Sequence, residues 1–156
     1  MPIRNTEKIW DHVDALADEA IALSDNVWAV PELCYEEHHS CALHTRMLSD
    51  HGFVLTPHVA GISTAVMGES GEDGPVIAFL GEYDALPGLA AAAGSFDHTP
   101  TTENGHGCGH NLLGAASLLA AVAVRDWLAV MQIPGRVRYY GCPAEEGGAG
   151  KGFMVR

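Results

Sequence analysis

Cys108 and His110 lie in a short glycine-rich stretch, Asn104–Asn111, in which three glycines alternate with His106, Cys108 and His110. Thiolate and imidazole are common donors to divalent metal ions in proteins. Glycine tolerates backbone angles that other residues avoid, and it lets a ligand come close to the chain. The stretch therefore predicts a tight bend that presents two metal donors just before an apolar run.

Two acidic stretches supply carboxylates that could complete such a site. Glu82 and Asp84 follow one predicted strand, and the pair Glu145 and Glu146 follows another. Successive side chains of an extended segment point in opposite directions, so one glutamate could bind metal while its neighbour faces a substrate. Asp84 is the candidate for a carboxylate that orients the ligating imidazole.

Each of these stretches also has an ordinary explanation. Cys108 and His110 could belong to a tight turn with a buried thiol, the two glutamates could form a solvated acidic turn, and Asp84 could cap a turn. The glycines lack the dinucleotide-binding spacing, because His110 stands at the position of the third glycine. Since all three stretches lie at predicted strand ends or loops, we favour a metal site with a spare carboxylate.

Such a site has the chemistry of a hydrolase. A bound metal lowers the pKa of its water to about 7. A carboxylate beside the metal can accept the proton of the water and later deliver it to a leaving amine.

The elements that must position these residues alternate between helix and strand. Apolar residues from 9 to 30 recur at helical steps, which predicts one long amphipathic helix that ends at Pro31. A second helix is predicted at about Glu36–His51. A third, from about Leu112 to Val130, has a small apolar face suited to packing on a sheet, with Asn111 as its cap.

Four segments are predicted as strands: Phe53–Thr56, Ile62–Met67, Val76–Leu80 and Val137–Tyr140. The segment Val76–Leu80 is an uninterrupted apolar run, which is typical of a strand buried on both faces of a parallel sheet. Residues 89–103 have no period and are predicted to form a loop. The alternation of helices and strands indicates a layered α/β domain.

Length and composition restrict the possible classes of protein. The 156 residues, 47% of them apolar, fit one domain with a buried core, and the net charge of -12 argues against binding to nucleic acid or anionic membranes. The first residues contain no apolar signal core, and Leu112–Val124 is too short to span a bilayer. We therefore expect a cytoplasmic protein.

The cysteines and histidines outside the glycine-rich stretch receive simple interpretations. The four cysteines show no paired spacing, so in a cytosolic chain they are expected to be free thiols or ligands rather than disulfides. Four histidines, His38, His39, His44 and His51, lie on or beside the second predicted helix. We interpret them as surface histidines rather than as a metal site.

Four ordered segments of the chain resemble the zinc-dependent aminoacylase and amidohydrolase family, metallopeptidase family twenty. They are Trp28–His38 (WAVPELCYEEH), Gly81–Gly88 (GEYDALPG), Gly105–Gly114 (GHGCGHNLLG) and Pro143–Lys151 (PAEEGGAGK). The most similar branch is that of the aminobenzoyl-glutamate hydrolase-like amidohydrolases. Cys34 stands where glycine is commoner in the family.

The resemblance implies a role for each candidate residue. Cys108, His110 and Glu146 would be metal ligands. Glu145 would be the general base, and Asp84 would support the metal centre. The cofactor implied is a pair of divalent ions about 3.5–4 Å apart. Zinc is the first expectation because of the thiolate, with manganese or cobalt as alternatives.

The resemblance also implies a reaction and a substrate class. The reaction is hydrolysis of the amide bond of an N-acyl amino acid, an aminobenzoyl-glutamate-like compound or a dipeptide. Glu82 stands where other branches of the family place a ligating histidine, and it is not counted as a ligand.

The fold implied is an α/β three-layer sandwich of helices around a mixed, largely parallel sheet, within a co-catalytic zinc exopeptidase-like catalytic domain. Residues 1–156 would be the truncated amino-terminal portion of that domain, without its lid or dimerisation domain and carboxy-terminal half. The full-length form would be a homo-oligomer.

The chain departs from the family in one respect. No His, Asp, Glu or Cys follows Glu146, whereas the family has two further histidine ligands downstream. The alternative hypothesis is a catalytically incomplete fragment that binds metal weakly or acts only with a partner chain.

Overall fold

The computed structural model describes residues 6–97, 99 and 101–156. Met1–Asn5, part of the segment in which the sequence predicts no signal core, lie outside this range. Two residues of the predicted loop 89–103 also lie outside it, and the described residues of that loop form no helix or strand. The elements are α1 (Thr6–Ala15), α2 (Ala17–Ala29), α3 (His38–Asp50), β1 (Val54–Pro57), a 3-10 turn (Val59–Gly61), β2 (Val66–Ser70), β3 (Val76–Glu82), α4 (His110–Met131), β4 (Arg136–Cys142) and α5 (Gly150–Met154).

The four strands form one mixed sheet in the order β1-β2-β4-β3. β1 pairs with β2 and β2 with β4 in antiparallel fashion, whereas β3 and β4 are parallel, with Glu82 opposite Cys142. The α/β class with a mixed sheet is confirmed, although one of the three pairings is parallel rather than most of them. The parallel pair brings the carboxyl ends of two strands to the same edge, where open α/β sheets bind ligands.

Helices α1–α4 form a layer on one face of the sheet. α4 packs on β3 and β4, α3 packs on β1 and β2, and α1 and α2 pack against α4. The core between these layers contains fully buried side chains such as Leu48, Leu118, Val122 and Tyr139. On the opposite face, α5 lies beside Leu80 and Tyr140, so the third layer is present only at one end.

The predicted long first helix is divided into α1 and α2 at Leu16. The backbone bends there, but the carbonyl of Leu16 still accepts a hydrogen bond from the N–H of Ala20 at 3.0 Å. The apolar stripe continues through the bend, since Leu23 and Val27 are buried. Periodicity thus identified the buried face correctly, but it does not report whether the backbone is continuous.

Strand β3 lies at the edge of the sheet, whereas the sequence predicted a strand buried on both faces. Val76, Ile77 and Leu80 are exposed because, among the described residues, no strand lies beyond β3 and α5 covers only one end of the face opposite α1–α4. The prediction of burial on both faces is therefore wrong for this chain. The second predicted strand also begins later than expected, at Val66, because the 3-10 turn extends to Gly61 and residues 63–64 form a further turn.

Helix α4 carries one metal-donor candidate at its first residue, His110. Gly109 precedes it with φ of 79°, a left-handed conformation that glycine adopts without steric cost. Asn111, the predicted cap, lies instead inside the first turn and donates from Nδ2 to Ser24 Oγ at 3.0 Å.

By length and mean hydropathy (1.6) α4 could cross a membrane. The segment Leu112–Val124 is too short to do so, but α4 is longer than that segment. In this structure α4 packs on the sheet.

Candidate metal centre

Three loops meet at the carboxyl ends of β3 and β4. Asp84 lies two residues beyond β3, and the glutamate pair follows β4. The glycine-rich loop is attached to the first of these by a two-residue bridge, in which Leu86 and Gly105 exchange backbone hydrogen bonds of 3.0 and 2.9 Å. The sheet edge therefore gathers donors from positions far apart in the sequence.

Cys108, His110 and Glu146 form a compact group of potential donors. One ligand atom from each, the Cys108 Sγ, a His110 ring nitrogen and a Glu146 carboxylate oxygen, lies within 4.8 Å of the others. Cys108 is exposed, His110 is buried and Glu146 is half-buried. The structure thus brings together the three residues that the sequence nominated as ligands.

Asp84 connects two of the three loops through hydrogen bonds. Its Oδ1 accepts a hydrogen bond from His110 Nδ1 at 2.8 Å, and its Oδ2 accepts one from the Glu146 N–H at 2.8 Å. Both Asp84 and His110 are buried. This arrangement fixes the imidazole ring and directs its Nε2 towards three glutamates, with Glu82 at 3.0 Å, Glu146 at 3.7 Å and Glu145 at 3.9 Å.

The electrostatics of the metal-free group follow from these contacts. The hydrogen bond to Asp84 raises the pKa of His110, against the effect of burial. Burial pushes the pKa of Asp84 upwards, yet its hydrogen bonds to His110 and Glu146 outweigh it and hold that pKa below its ordinary value. The nearby Glu146 carboxylate raises the pKa of the Cys108 thiol. The group therefore favours cations.

Glu146 has one carboxylate oxygen that the described residues leave unsatisfied. Its Oε1 is buried without a hydrogen-bond partner, and it lies 3.7 Å from His110 Nε2. A buried polar atom without a partner is costly and is often explained by an ion. Together with the thiol and the imidazole, this oxygen makes a donor set that fits a divalent metal ion, with three protein ligands and an open position.

Glu145 differs from its neighbour in exposure. Its side chain is 43% exposed, against 17% for Glu146, and its Oε2 lies 3.9 Å from His110 Nε2. The two adjacent glutamates therefore occupy different environments at the same centre. Glu145 is free to face a molecule that enters from solvent.

Glu82 lies closer to the centre than sequence reasoning expected. Its Oε2 is 3.0 Å from His110 Nε2, and its Oε1 forms an ion pair with Lys151. Glu82, His110 and Glu145 make a second donor group of the same compactness, but this group shares His110 with the first. One Nε2 can bind only one ion, so the two groups cannot both use it. Sequence reasoning missed Lys151, although it ends one of the four matched segments.

The other histidines and cysteines lie outside these donor groups. His44 is fully buried, with Nδ1 2.7 Å from the Tyr139 hydroxyl, so its interpretation as a surface histidine is wrong. Burial lowers the pKa of His44 to about 3. His38 and His39 are exposed as expected. All four cysteines, including Cys108 of the first donor group, are free thiols, in agreement with the prediction of free thiols or ligands rather than disulfides.

A comparison with protein families and curated proteins gives consistent matches. Residues 78–156 match the family described as peptidase family M20/M25/M40. The chain is 47% identical over 148 residues to a p-aminobenzoyl-glutamate hydrolase subunit of Escherichia coli (strain K12), covering 94% of this chain and 31% of the relative. It is 34% identical over 154 residues to the Xaa-Arg dipeptidase of Mus musculus, covering 90% and 32%.

A solved structure supports the same comparison. A Bacillus subtilis protein described as a dinuclear metal binding peptidase of the M20 family superposes with a TM-score of 0.72 and 27% identity. The match covers 91% of this chain and 39% of that one. The chain thus spans about a third of the length of the curated relatives it matches.

Proposed function

This chain belongs to peptidase family M20/M25/M40, and from that premise we propose that it forms the metal-binding part of an amide hydrolase. The observation that carries the proposal is the convergence of Cys108, His110 and Glu146, with Glu145 beside them. Substrates of the proposed enzyme are N-acyl amino acids, aminobenzoyl-glutamate-like compounds or dipeptides. The names of the relatives, an aminobenzoyl-glutamate hydrolase and a dipeptidase, support this class.

The proposed ligands of the metal are Cys108, His110 and Glu146. A divalent ion there would supply Lewis acidity and make a water molecule acidic enough to ionise near pH 7. We propose zinc because the set contains a thiolate, with manganese or cobalt as alternatives. The dinuclear description of the Bacillus subtilis neighbour supports two ions.

Asp84 determines which nitrogen of His110 is available. Because the Asp84 carboxylate accepts a hydrogen bond from His110 Nδ1–H, with an N···O distance of 2.8 Å, the lone pair of the neutral ring lies on Nε2. That nitrogen points towards Glu146 and Glu145. Asp84 also holds the Glu146 N–H, so one carboxylate sets the position of two ligands.

Glu145 has the position of a general base. Its exposed carboxylate lies at the edge of the donor group without being one of the three ligands. It would accept a proton from the attacking water and donate that proton to the amine nitrogen as the amide bond breaks. Such proton transfer contributes typically about 10²–10⁴-fold in rate.

A second candidate function is a metal-binding unit that acts only with donors from a partner chain or a further segment. The observation in its favour is that the two donor groups found among the described residues share His110. Under this proposal, residues 1–156 are the amino-terminal portion of one catalytic domain, and they hold a single ion weakly.

The test compares the 156-residue chain with a version extended to the length of its relatives, both loaded with Zn²⁺. We expect the extended chain to hydrolyse aminobenzoyl-glutamate or a dipeptide. Glu145→Gln should lower its kcat by about 10²–10⁴-fold without changing zinc content, because only the base is lost. The matched change Glu146→Gln should lower the zinc content itself.

Unchanged turnover of the Glu145→Gln variant would remove Glu145 from the base role. Full turnover of the 156-residue chain with two bound ions would exclude the second candidate.

A further inference from the structure

Glu37 is a buried carboxylate that the proposed chemistry does not use. It is fully buried, and its Oε1 accepts a hydrogen bond from the backbone N–H of Ala144 at 2.8 Å. Its Oε2 has no hydrogen-bond partner among the described residues, and burial raises the pKa of Glu37. A buried carboxyl group destabilises a fold unless hydrogen bonds compensate for its lost hydration. The hydrogen bond from the Ala144 N–H is such a compensation, and it indicates a structural role for Glu37.

Ala144 is the residue immediately before the glutamate pair, and its backbone is strained. Its φ of 57° lies in the left-handed region, which costs energy for any residue with a Cβ. Such conformations persist only where the surrounding structure holds them. The Ala144 carbonyl also accepts from the Gly148 N–H at 3.1 Å, which closes the turn that contains both glutamates.

Tyr35 holds the other end of the same turn. Its hydroxyl donates to the carbonyl of Gly148, and its ring lies directly against that glycine. Tyr35 itself has a φ of 68°, so the connector, like the turn, contains a residue in the left-handed region. Two side chains of one short connector, residues 31–37, therefore form hydrogen bonds with the two ends of the turn 144–148.

The same connector also holds the loop that carries Asp84. The Glu32 carbonyl accepts a hydrogen bond from the Ala85 N–H at 2.8 Å. The Cys34 thiol lies 3.6 Å from Asp84 Oδ2. Residues 31–37 thus connect the loop after β3 with the turn after β4, although none of them is a proposed metal ligand.

We propose that Glu37 and Tyr35 are positioning residues that fix the backbone of the turn 144–148, and thereby the direction of the Glu146 carboxylate towards Cys108 and His110. This inference rests on the proposed metal centre. It assigns Glu37 a role through the Ala144 N–H rather than through contact with an ion or a substrate.

The test is a Co²⁺ titration of the 156-residue chain, followed through the absorption of the cobalt–thiolate bond at Cys108. Glu37→Met keeps the length of the side chain but removes the acceptor, and we expect about tenfold weaker Co²⁺ binding, as for other outer partners of metal ligands. Glu37→Gln keeps an acceptor oxygen and should restore binding to within about twofold of the unaltered chain. Glu36→Gln, at the exposed neighbour, is the matched control.

A double-mutant cycle separates positioning from a general loss of structure. If Glu37 acts through Glu146, Glu37→Met should weaken Co²⁺ binding much less in a Glu146→Gln background than alone. Equal losses in both backgrounds would overturn the proposal, and so would a folded Glu37→Met variant with unaltered affinity. If Glu37→Met does not fold, Tyr35→Phe decides, because unaltered Co²⁺ affinity there would also overturn the proposal.

A second measurement does not depend on metal. Hydrogen exchange of the Ala144 amide should be slow in the metal-free chain and at least about tenfold faster in Tyr35→Phe and Glu37→Met, since their contacts close the turn. If the unaltered chain bound no Co²⁺, residues 1–156 would not form a metal centre on their own, and the exchange rates would still decide whether Glu37 and Tyr35 fix the turn. Equal exchange rates would reject that role.

Discussion

Asp84 uses both of its carboxylate oxygens, one on the His110 ring and one on the Glu146 backbone. Neither contact is visible in the sequence, where Asp84 is only an acid two residues past a strand. The prediction that it supports an imidazole came from the general behaviour of metal-bound histidines. The second contact depends on the register of β3 against β4, which places the two loops side by side.

Replacing Asp84 should weaken metal binding, although Asp84 is not one of the proposed ligands. Asp84→Asn can present an amide N–H to His110 Nδ1, which moves the ring proton to Nε2 and blocks the proposed ligating atom. We expect about 10–100-fold weaker Zn²⁺ binding, measured by competition with a chromophoric chelator. Asp73→Asn, in an exposed turn, is the control, and equal affinities of the two variants would contradict the role of Asp84.

His44 should make the stability of the chain depend on pH. The pKa of the folded-state His44 lies at about 3 because of burial, whereas the unfolded chain takes up a proton below pH 6.5. The unfolded state therefore binds more protons between these values, and stability is lost as pH falls from about 6.5 towards 3. At pH 5 the loss should be roughly 2 kcal/mol.

The measurement is urea unfolding at pH 7 and pH 5. His44→Gln should remove most of the difference in unfolding free energy between the two pH values, whatever its effect at pH 7. His38→Gln, at an exposed histidine of the same helix, should leave the difference unchanged. An identical pH dependence in all three proteins would show that His44 is not the responsible group.

Two of the residues that sequence reasoning missed share one property. Glu37 and His44 are polar side chains on the amphipathic helix α3 or at its start, and a helical pattern assigns such residues to the surface. Both are buried because α3 packs against the sheet at a point where Tyr139 and the turn after β4 offer them partners. Only the tertiary arrangement contains that information.

At the scale of elements, the placement of α4 on β3 determines where His110 lies. Gly114, one turn after His110, permits a very close approach: a Cβ at this position would lie 2.4 Å from the Glu82 carbonyl oxygen and 2.8 Å from His44 Cε1. The small apolar face of this helix was predicted from the sequence. The atoms it meets could not be, since they depend on the strand order.

Gly114→Ala should therefore displace α4 from the sheet. We expect a loss of about 1–3 kcal/mol in unfolding free energy, because the nearest atom belongs to the backbone of β3 and cannot rotate away. Urea unfolding measures the loss, and Co²⁺ titration should show weaker binding at His110. Gly152→Ala in α5, where a Cβ meets open space, should be neutral or gain up to about 1 kcal/mol.

Hydrophobic patterns predicted some of the helices and strands better than others. Periodicity identified the helices and most of the strands, because local burial decides these patterns. It failed for β3, whose continuous apolar run predicts two covered faces. Coverage depends on the elements packed on each face, and among the described residues α4 packs on one face of β3 while only the short α5 lies beside the other.

At the scale of the whole molecule, β3 is an edge strand, with no further strand beside it in the described part of the chain. A long apolar edge strand with free backbone groups is a template for pairing with another chain. Leu80, 48% exposed, lies on the open face of the sheet beside Tyr140. The opposite edge is β1, which has only four residues.

We expect concentration-dependent association of the 156-residue chain through β3. Leu80→Lys should shift the sedimentation equilibrium towards monomer, because a charge on the edge disfavours pairing. Val54→Lys, at an exposed residue of the short strand β1, should have a smaller effect. Association that responds equally to both changes would point to nonspecific attraction instead of strand pairing.

The parallel pairing of β3 with β4 has a kinetic consequence. Glu82 meets Cys142 only after the chain has closed a loop that contains the glycine-rich stretch and all of α4. Closing such long-range pairings is slow in folding, so Cys108, His110 and Glu146 should come together late. In stopped-flow refolding, the cobalt–thiolate absorption should rise no earlier than the last tertiary signal. A divalent ion would then slow unfolding without speeding folding, and it would set the lifetime of the folded chain.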